Sequence, residues 1–156
     1  MQAISKSISS TLNIGKKINE NLEAGDIICL FGELGSGKTV LTKGIASGLG
    51  INKSKIVSPS FVLIRQYNQS RLPLYHFDLY RLKAPKDILL LGYEEYLYGE
   101  GIAVIEWADK LGYLLPKDYL GIELFVRGES ERLFEFKACG RHYQELFEKI
   151  HENIRH

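Results

Sequence analysis

The sequence predicts an α/β fold: a mixed sheet, largely parallel at its core, with added antiparallel strands and helices on its flanks. Three observations carry this. Strand-like and helix-like patterns interleave along the chain, as a sheet with crossover helices requires. Two wholly apolar runs, Ile27 to Phe31 and Ile102 to Ile105, read as strands covered on both faces. Near the end, Tyr119 to Val126 and Arg132 to Cys139 flank Arg127-Gly128-Glu129-Ser130 and read as an antiparallel pair.

In chain order, the first element is a helix. Thr11 is its expected cap, and Ile14, Ile18 and Leu22 fall on one face at i, i+4, i+8. Glu23-Ala24-Gly25-Asp26 is a turn into the first buried strand. A glycine-rich loop leads to a second helix over Thr39 to Leu49, closed by Gly50. Phe61 to Tyr67 and Leu72 to Tyr80 read as strands around Asn68-Gln69-Ser70-Arg71, with Pro73 favouring an edge or end position for the second. Pro85 suits the first turn of a helix running through Ile88, Leu89 and Leu91 to Tyr98. Beyond the second apolar run and the antiparallel pair, Tyr143, Leu146, Phe147 and Ile150 mark an amphipathic closing helix.

Composition excludes several classes. The chain has 156 residues, 45% hydrophobic and 25% charged, which is ordinary for one folded domain spanning 1–156. Twenty basic and 19 acidic residues leave a net charge of +1, too little for a protein held on nucleic acid by bulk phosphate neutralisation. The longest apolar run, Ile27 to Phe31, is far short of the roughly 20 residues that span a bilayer. The start, MQAISKSISS, has no secretory apolar segment and no acylation motif. The two cysteines, Cys29 and Cys139, form no CxxC pair, so a reduced, cytoplasmic protein with no membrane association is expected.

The strongest chemical signal is Gly32-Glu33-Leu34-Gly35-Ser36-Gly37-Lys38-Thr39, a full G-x-x-x-x-G-K-[ST] phosphate loop. Glycines allow successive backbone N–H groups to turn around a phosphate, and the following helix aims its positive end at the same anion. Lys38 would reach the β- and γ-phosphates of a nucleotide, and the Thr39 hydroxyl would ligate Mg²⁺. Gly35, Ser36, Gly37, Lys38, Thr39 and Val40 are therefore the candidate nucleotide-binding residues of this segment. A glycine turn joining strand to helix is the bland alternative, and the apolar strand before it and helix after it argue against that.

Such a site also needs an acid at the end of a neighbouring strand. Two carboxylates compete. Glu106 directly follows the apolar run 102–105, against the alternative of a solvated strand end. Asp78 shares a strand face with His76 by alternation, against the alternative of a surface acid paired with Arg81. Lys38, Asp78 and Glu106 are the catalytic candidates, and Thr39 and Glu106 the metal candidates. Trp107 by default is a packed aromatic, and His76 a structural hydrogen-bonding histidine. His142, His151 and His156 lack metal-ligand spacing, and Cys29 reads as packing. Ser58-Pro59-Ser60 lies on a loop where hydroxyls would meet a γ-phosphate or cap a turn.

GELGSGKT, SPSF, LPLYHFDLYRL and VIEWAD, in this order and spacing from about Thr11 to Gly140, resemble the bacterial threonylcarbamoyladenosine-biosynthesis ATPase family, TsaE or YjeE. The phosphate loop alone is generic; the HxDLYRL and IEW segments are specific. The resemblance implies that Gly35, Gly37, Lys38 and Thr39 hold the nucleotide phosphates, with Thr39 also on Mg²⁺. The family's switch-like SPT loop appears as Ser58-Pro59-Ser60, with Ser60 keeping the hydroxyl and losing a methyl. Its functional aspartate maps to Asp78, its metal-associated glutamate to Glu106 and its tryptophan to Trp107. Thr11 matches a threonine near the nucleotide, and Arg132 an arginine near the adenine. The implied activity is ATP hydrolysis supporting tRNA threonylcarbamoylation beside the anticodon, with TsaD-like and TsaB-like partners that make contact with tRNA on its behalf.

Other readings are a GTPase, a small-molecule kinase and a nucleotide-dependent interaction module. A GTPase should carry N-K-x-D, and Asn52-Lys53-Ser54-Lys55 lacks the acid. A kinase shares the phosphate loop but usually adds a basic lid, and no arginine-rich loop is present. In the module, nucleotide state would change partner affinity even with hydrolysis blocked.

Overall fold

The computed structural model describes residues 1–57, 63–68 and 70–155. The expected Ser58-Pro59-Ser60 loop and the start of the strand expected from Phe61 lie outside the described residues. A single sheet of seven strands organises the rest, in the order β1-β7-β6-β2-β5-β4-β3. The strands are β1 (Gln2–Ser5), β2 (Ile27–Gly32), β3 (Ile64–Tyr67), β4 (Leu74–Asp78), β5 (Ile102–Glu106), β6 (Tyr119–Val126) and β7 (Arg132–Cys139). The central pairs β6–β2, β2–β5 and β5–β4 are parallel, whereas β1–β7, β7–β6 and β4–β3 are antiparallel. The expected mixed sheet with a parallel core is thus the observed one.

Alternation along the central strands divides the core. Ile28, Leu30, Val104 and Ile122 face a layer of helices α1 (Ile8–Asn19), α2 (Lys38–Gly48) and α4 (Arg141–Arg155). Cys29, Phe77 and Ile105 face the other layer, built from the short helix α3 (Tyr93–Leu97) and from 3₁₀ stretches over Pro85–Leu91 and Ala108–Leu114. Cys29 is fully buried there and burial raises its thiol pKa, which fits packing and not reactivity. Helices α1 and α2 touch through glycine: a Cβ on Gly44 would stand 2.5 Å from the Leu12 carbonyl oxygen, so that backbone contact excludes any side chain.

Three expectations are corrected. Ser7, not Thr11, caps α1, its hydroxyl accepting from Ser10 N at 3.0 Å, and Thr11 lies buried inside the helix. The continuous helix expected from Pro85 to Tyr98 is broken at Gly92, whose φ of 62° ends the 3₁₀ stretch before α3 begins. The strand β1, absent from the sequence reading, adds to the free edge of β7. Pro73 precedes β4 and contributes only its carbonyl, which accepts from Ile102 N at 2.8 Å.

Helix α4 is tied to the sheet at the start of β2. Tyr143 Oη accepts the Ile27 amide at 2.8 Å, and His142 Nε2 lies 2.6 Å from the buried Asp26 carboxylate. Burial raises the Tyr143 phenol from 10.0 to about 12, against the lowering effect of the Ile27 N–H. A folded value above the unfolded one means that this contribution is intact below pH 10 and is lost as pH rises toward 12. Replacing Tyr143 by Phe leaves the Ile27 amide without its acceptor and should lower unfolding free energy by about 1–3 kcal/mol. Urea melts near pH 8 and 11 check both effects: the variant starts less stable and loses less on going to alkaline pH. Identical melts for the two chains would contradict the bond.

Candidate functional site

The parallel strands deliver their C-terminal ends to one edge of the sheet, where open α/β folds bind ligands. Register does the placing. Leu30 of β2 pairs with Glu106 of β5, and Asp78 of β4 pairs with the same Glu106. On the other side, Gly32 pairs with Leu124, and Val126 pairs with Arg132, which in turn pairs with Ser5. The phosphate loop therefore has Glu106 and Asp78 on one flank and Arg132 on the other.

The loop leaves β2 at Gly32 and enters α2 at Lys38. Gly37, which precedes the first turn of α2, holds a φ of 103°, a left-handed conformation that an L side chain would strain. At Gly32 space also forbids a side chain, because a Cβ would lie 2.6 Å from the Leu124 carbonyl oxygen. Ser36 is fully buried behind the loop, with its amide bonded to Glu33 O at 3.1 Å.

Lys38 is almost fully buried, and its ammonium donates to Gly32 O at 2.6 Å and Glu33 O at 2.8 Å. The Trp107 ring covers it, with Nζ 4.1 Å from the ring centroid. Burial lowers the Lys38 pKa, while the charges of Glu106, Asp109 and Asp78 act to keep it protonated. Trp107 itself follows β5 with a φ of 58°, which turns the chain so that the ring folds back over the loop lysine.

Thr39 Oγ1 donates to Glu106 Oε1 at 2.7 Å, and the other carboxylate oxygen is hydrogen-bonded to His76 Nε2. Asp78 is buried, not the surface acid of the alternative reading, and its Oδ1 accepts from Tyr80 N at 3.1 Å. A cleft of about 500 Å³ joins these groups, its walls including Lys38, Thr39, Asp78, Glu106 and Trp107. Gly35, Gly37 and Val40 also line it.

Three expected residues lie outside that cleft: Ser36, buried behind the loop, and Thr11 and Arg132 at the same sheet edge. Thr11 Oγ1 is 2.7 Å from Ser5 Oγ, at the end of β1. Arg132 donates through Nη2 to Gly35 O at 3.2 Å, so its guanidinium braces the loop backbone. Ser60 lies outside the described residues. Tyr80, whose ring centroid is 5.0 Å from that of Trp107, and Arg81 line the cleft without having been expected there. The bond between His76 and Glu106 was also unforeseen; its only trace in sequence is the alternation that puts His76 on the face of Asp78.

Chemically, Thr39 and Glu106 present hard oxygen donors at one spot, the kind that Mg²⁺ takes. Among the described residues no group of three or more His, Cys, Asp or Glu is arranged to hold a metal ion. A cation here would complete its shell with phosphate oxygens and water, as Mg²⁺ at nucleotide sites does. Loop amides, a helix N-terminus and a buried ammonium together suit a polyphosphate.

A family model described as "Threonylcarbamoyl adenosine biosynthesis protein TsaE" matches residues 5–134 of the chain. The chain is 42% identical over 132 residues to the tRNA threonylcarbamoyladenosine biosynthesis protein TsaE of Bacillus subtilis (strain 168), covering 83% of this chain and 82% of that one. It is 45% identical over 130 residues to the protein of the same description from a Nostoc species, covering 81% and 78%. The crystal structure of Bacillus subtilis YdiB superposes with a TM-score of 0.85 at 36% identity, over 97% of this chain and 94% of that one.

One optical test follows from the site alone. The chain has a single tryptophan, and it covers the Lys38 ammonium. A polyphosphate that draws Lys38 from the loop carbonyls should change Trp107 emission on titration with Mg²⁺-ATP. An unchanged spectrum at saturation would leave Trp107 as a packed aromatic only.

Proposed function

We propose a function from the premise that this chain belongs to the TsaE family: it is a phosphate-loop ATPase that hydrolyses Mg²⁺-ATP in support of threonylcarbamoyladenosine formation in tRNA. Residues 1–156 act as one ATPase domain on a TsaD-like and TsaB-like pair, in the cytoplasm, with tRNA held by those partners. The observation that carries this reading is the hydrogen bond from Thr39 to Glu106 beside the buried Lys38, at the mouth of the loop.

The residues fit ATP and Mg²⁺. Gly35 and Gly37, both at positive φ, bring no side chain to the stretch of cleft wall that they line, where backbone can approach a phosphate. Lys38 donates to neutral carbonyls, and a phosphate oxygen is the stronger acceptor for a charged donor. Thr39 and Glu106 would hold the metal, which when bound neutralises charge on the β- and γ-phosphates. Asp78, on the wall of the same cleft and paired with Glu106 in the β4–β5 register, takes the task of orienting the attacking water. Arg132 and Thr11, on the β7–β1 side of the loop, serve the nucleoside end. A net charge of +1 suits a protein that docks on partners and leaves the tRNA to them.

The test is phosphate release from Mg²⁺-ATP by the chain alone and with the TsaB–TsaD pair. Strong stimulation by the pair is the expected result; brisk turnover that ignores the pair would sink the coupling and point to a small-molecule acceptor. Replacing Lys38 by Ala should abolish turnover and weaken ATP binding sharply. Replacing Glu106 by Ala should cost about 100-fold or more in turnover while nucleotide binding stays measurable by calorimetry. Normal turnover in that variant would move the metal role to Asp78.

A further inference from the structure

Around the cleft, His76 is the buried polar side chain to which the proposed reaction gives no task. It lies on β4 with no exposed surface, and it is absent from the walls of the cleft. It cannot touch a nucleotide. Among the described residues its one hydrogen bond joins Nε2 to Glu106 Oε2, and Nδ1 has no partner.

We propose that His76 is a positioning residue that sets the rotamer of Glu106 and, through it, the hydroxyl direction of Thr39, so that both present their oxygens to the cation; the inference rests on the metal reading given above. Glu106 is 2% exposed and needs donors for both oxygens. Thr39 serves Oε1 and His76 serves Oε2, so the carboxylate is gripped at both ends and cannot rotate about its last torsion without losing a bond. A neutral imidazole has one N–H. With Nδ1 unpartnered, that proton belongs on Nε2, facing the carboxylate. The Thr39 proton in turn points at Oε1, which leaves the hydroxyl lone pairs turned to the cleft where a cation binds. Histidine and carboxylate partners behind metal ligands commonly change metal affinity by about 10–100-fold when removed.

Two substitutions separate this from a packing role. His76→Phe fills the same space without a donor, and His76→Gln keeps an N–H donor at similar reach. Calorimetry with a non-hydrolysable ATP analogue, in Mg²⁺ and in EDTA, reads the gain in affinity that the metal confers. The Mg²⁺ concentration for half-maximal phosphate release gives a second readout, and a thermal melt reports the fold. In His76→Phe the Mg²⁺-dependent gain should be lost and half-saturating Mg²⁺ should rise about tenfold or more, with EDTA affinity within about twofold of wild type. His76→Gln should restore most of the gain. A lowered melt with unchanged Mg²⁺ dependence overturns the proposal, as does an equal loss of affinity in Mg²⁺ and in EDTA. If His76→Phe does not fold, a His76→Gln chain that folds but lacks the gain also overturns it. A wild-type chain that binds the analogue without any Mg²⁺ gain overturns the metal assignment and this role together. One that binds in neither buffer overturns the nucleotide reading itself.

Discussion

The site depends on the register between β2 and β5. With Leu30 opposite Glu106, the strand that feeds the phosphate loop and the strand that carries the acid end at one level, and Thr39 meets Glu106 at 2.7 Å. A slip of one residue would turn Glu106 to the opposite face and Ile105 toward the loop. What forbids the slip is apolar. Val104 and Ile105 are fully buried in opposite layers, Val104 with Ile28 and Leu30 and Ile105 with Cys29, and each would exchange layers if β5 moved. The geometry of the polar site is therefore fixed by side chains that never touch a ligand.

The local electrostatics run against the bland composition of the chain. A net charge of +1 conceals a buried ammonium surrounded by Glu106, Asp109 and Asp78. Desolvation works to strip the proton from Lys38, and the acids, two carbonyls and the Trp107 face hold it in place. Inside a protein such charge–charge terms are several times larger than in water, so removing any one of these groups would be felt by the rest. Trp107 shows the cost accepted for this arrangement. A left-handed backbone at a bulky residue is strained by roughly 1–3 kcal/mol, and here it turns an indole over the loop lysine.

Much of this was legible in the sequence where local pattern and tertiary role coincide. The apolar runs 27–31 and 102–105 could only be covered strands, and the glycine-marked turn between β6 and β7 announced that pair residue by residue. Lys38 and Thr39 could be named because the glycine spacing of the phosphate loop marks them at the start of α2, and Asp78, Glu106 and Trp107 because each sits at or just past a strand end. Features that need strand order could not. His76 reaches Glu106 because β4 lies beside β5, and Arg132 reaches Gly35 because β7 lies two strands from β2. The start of α1 offers hydroxyls at Ser5, Ser7, Ser9, Ser10 and Thr11, and only the end of β1 decides that Ser7 is the cap. Gly92 could equally have sat within a continuous helix; its positive φ is imposed by the packing of the two short helical stretches on the sheet.

Strand β1 has four residues and no apolar run, and it is a strand only because β7 offers an edge. Gln2 pairs with Glu135 and Ser5 with Arg132, so the first residues of the chain wait for some of the last. A ribosome releases them in the opposite order. The phosphate loop, its two acids and the four parallel strands all emerge before β7 is complete, whereas β1 and the foot of α1 have nothing to pair with until then. Closing so long a loop is entropically costly and slow. Vectorial synthesis thus leaves β1, on the Thr11 side of the nucleotide edge, without its partner strand until β7 has emerged.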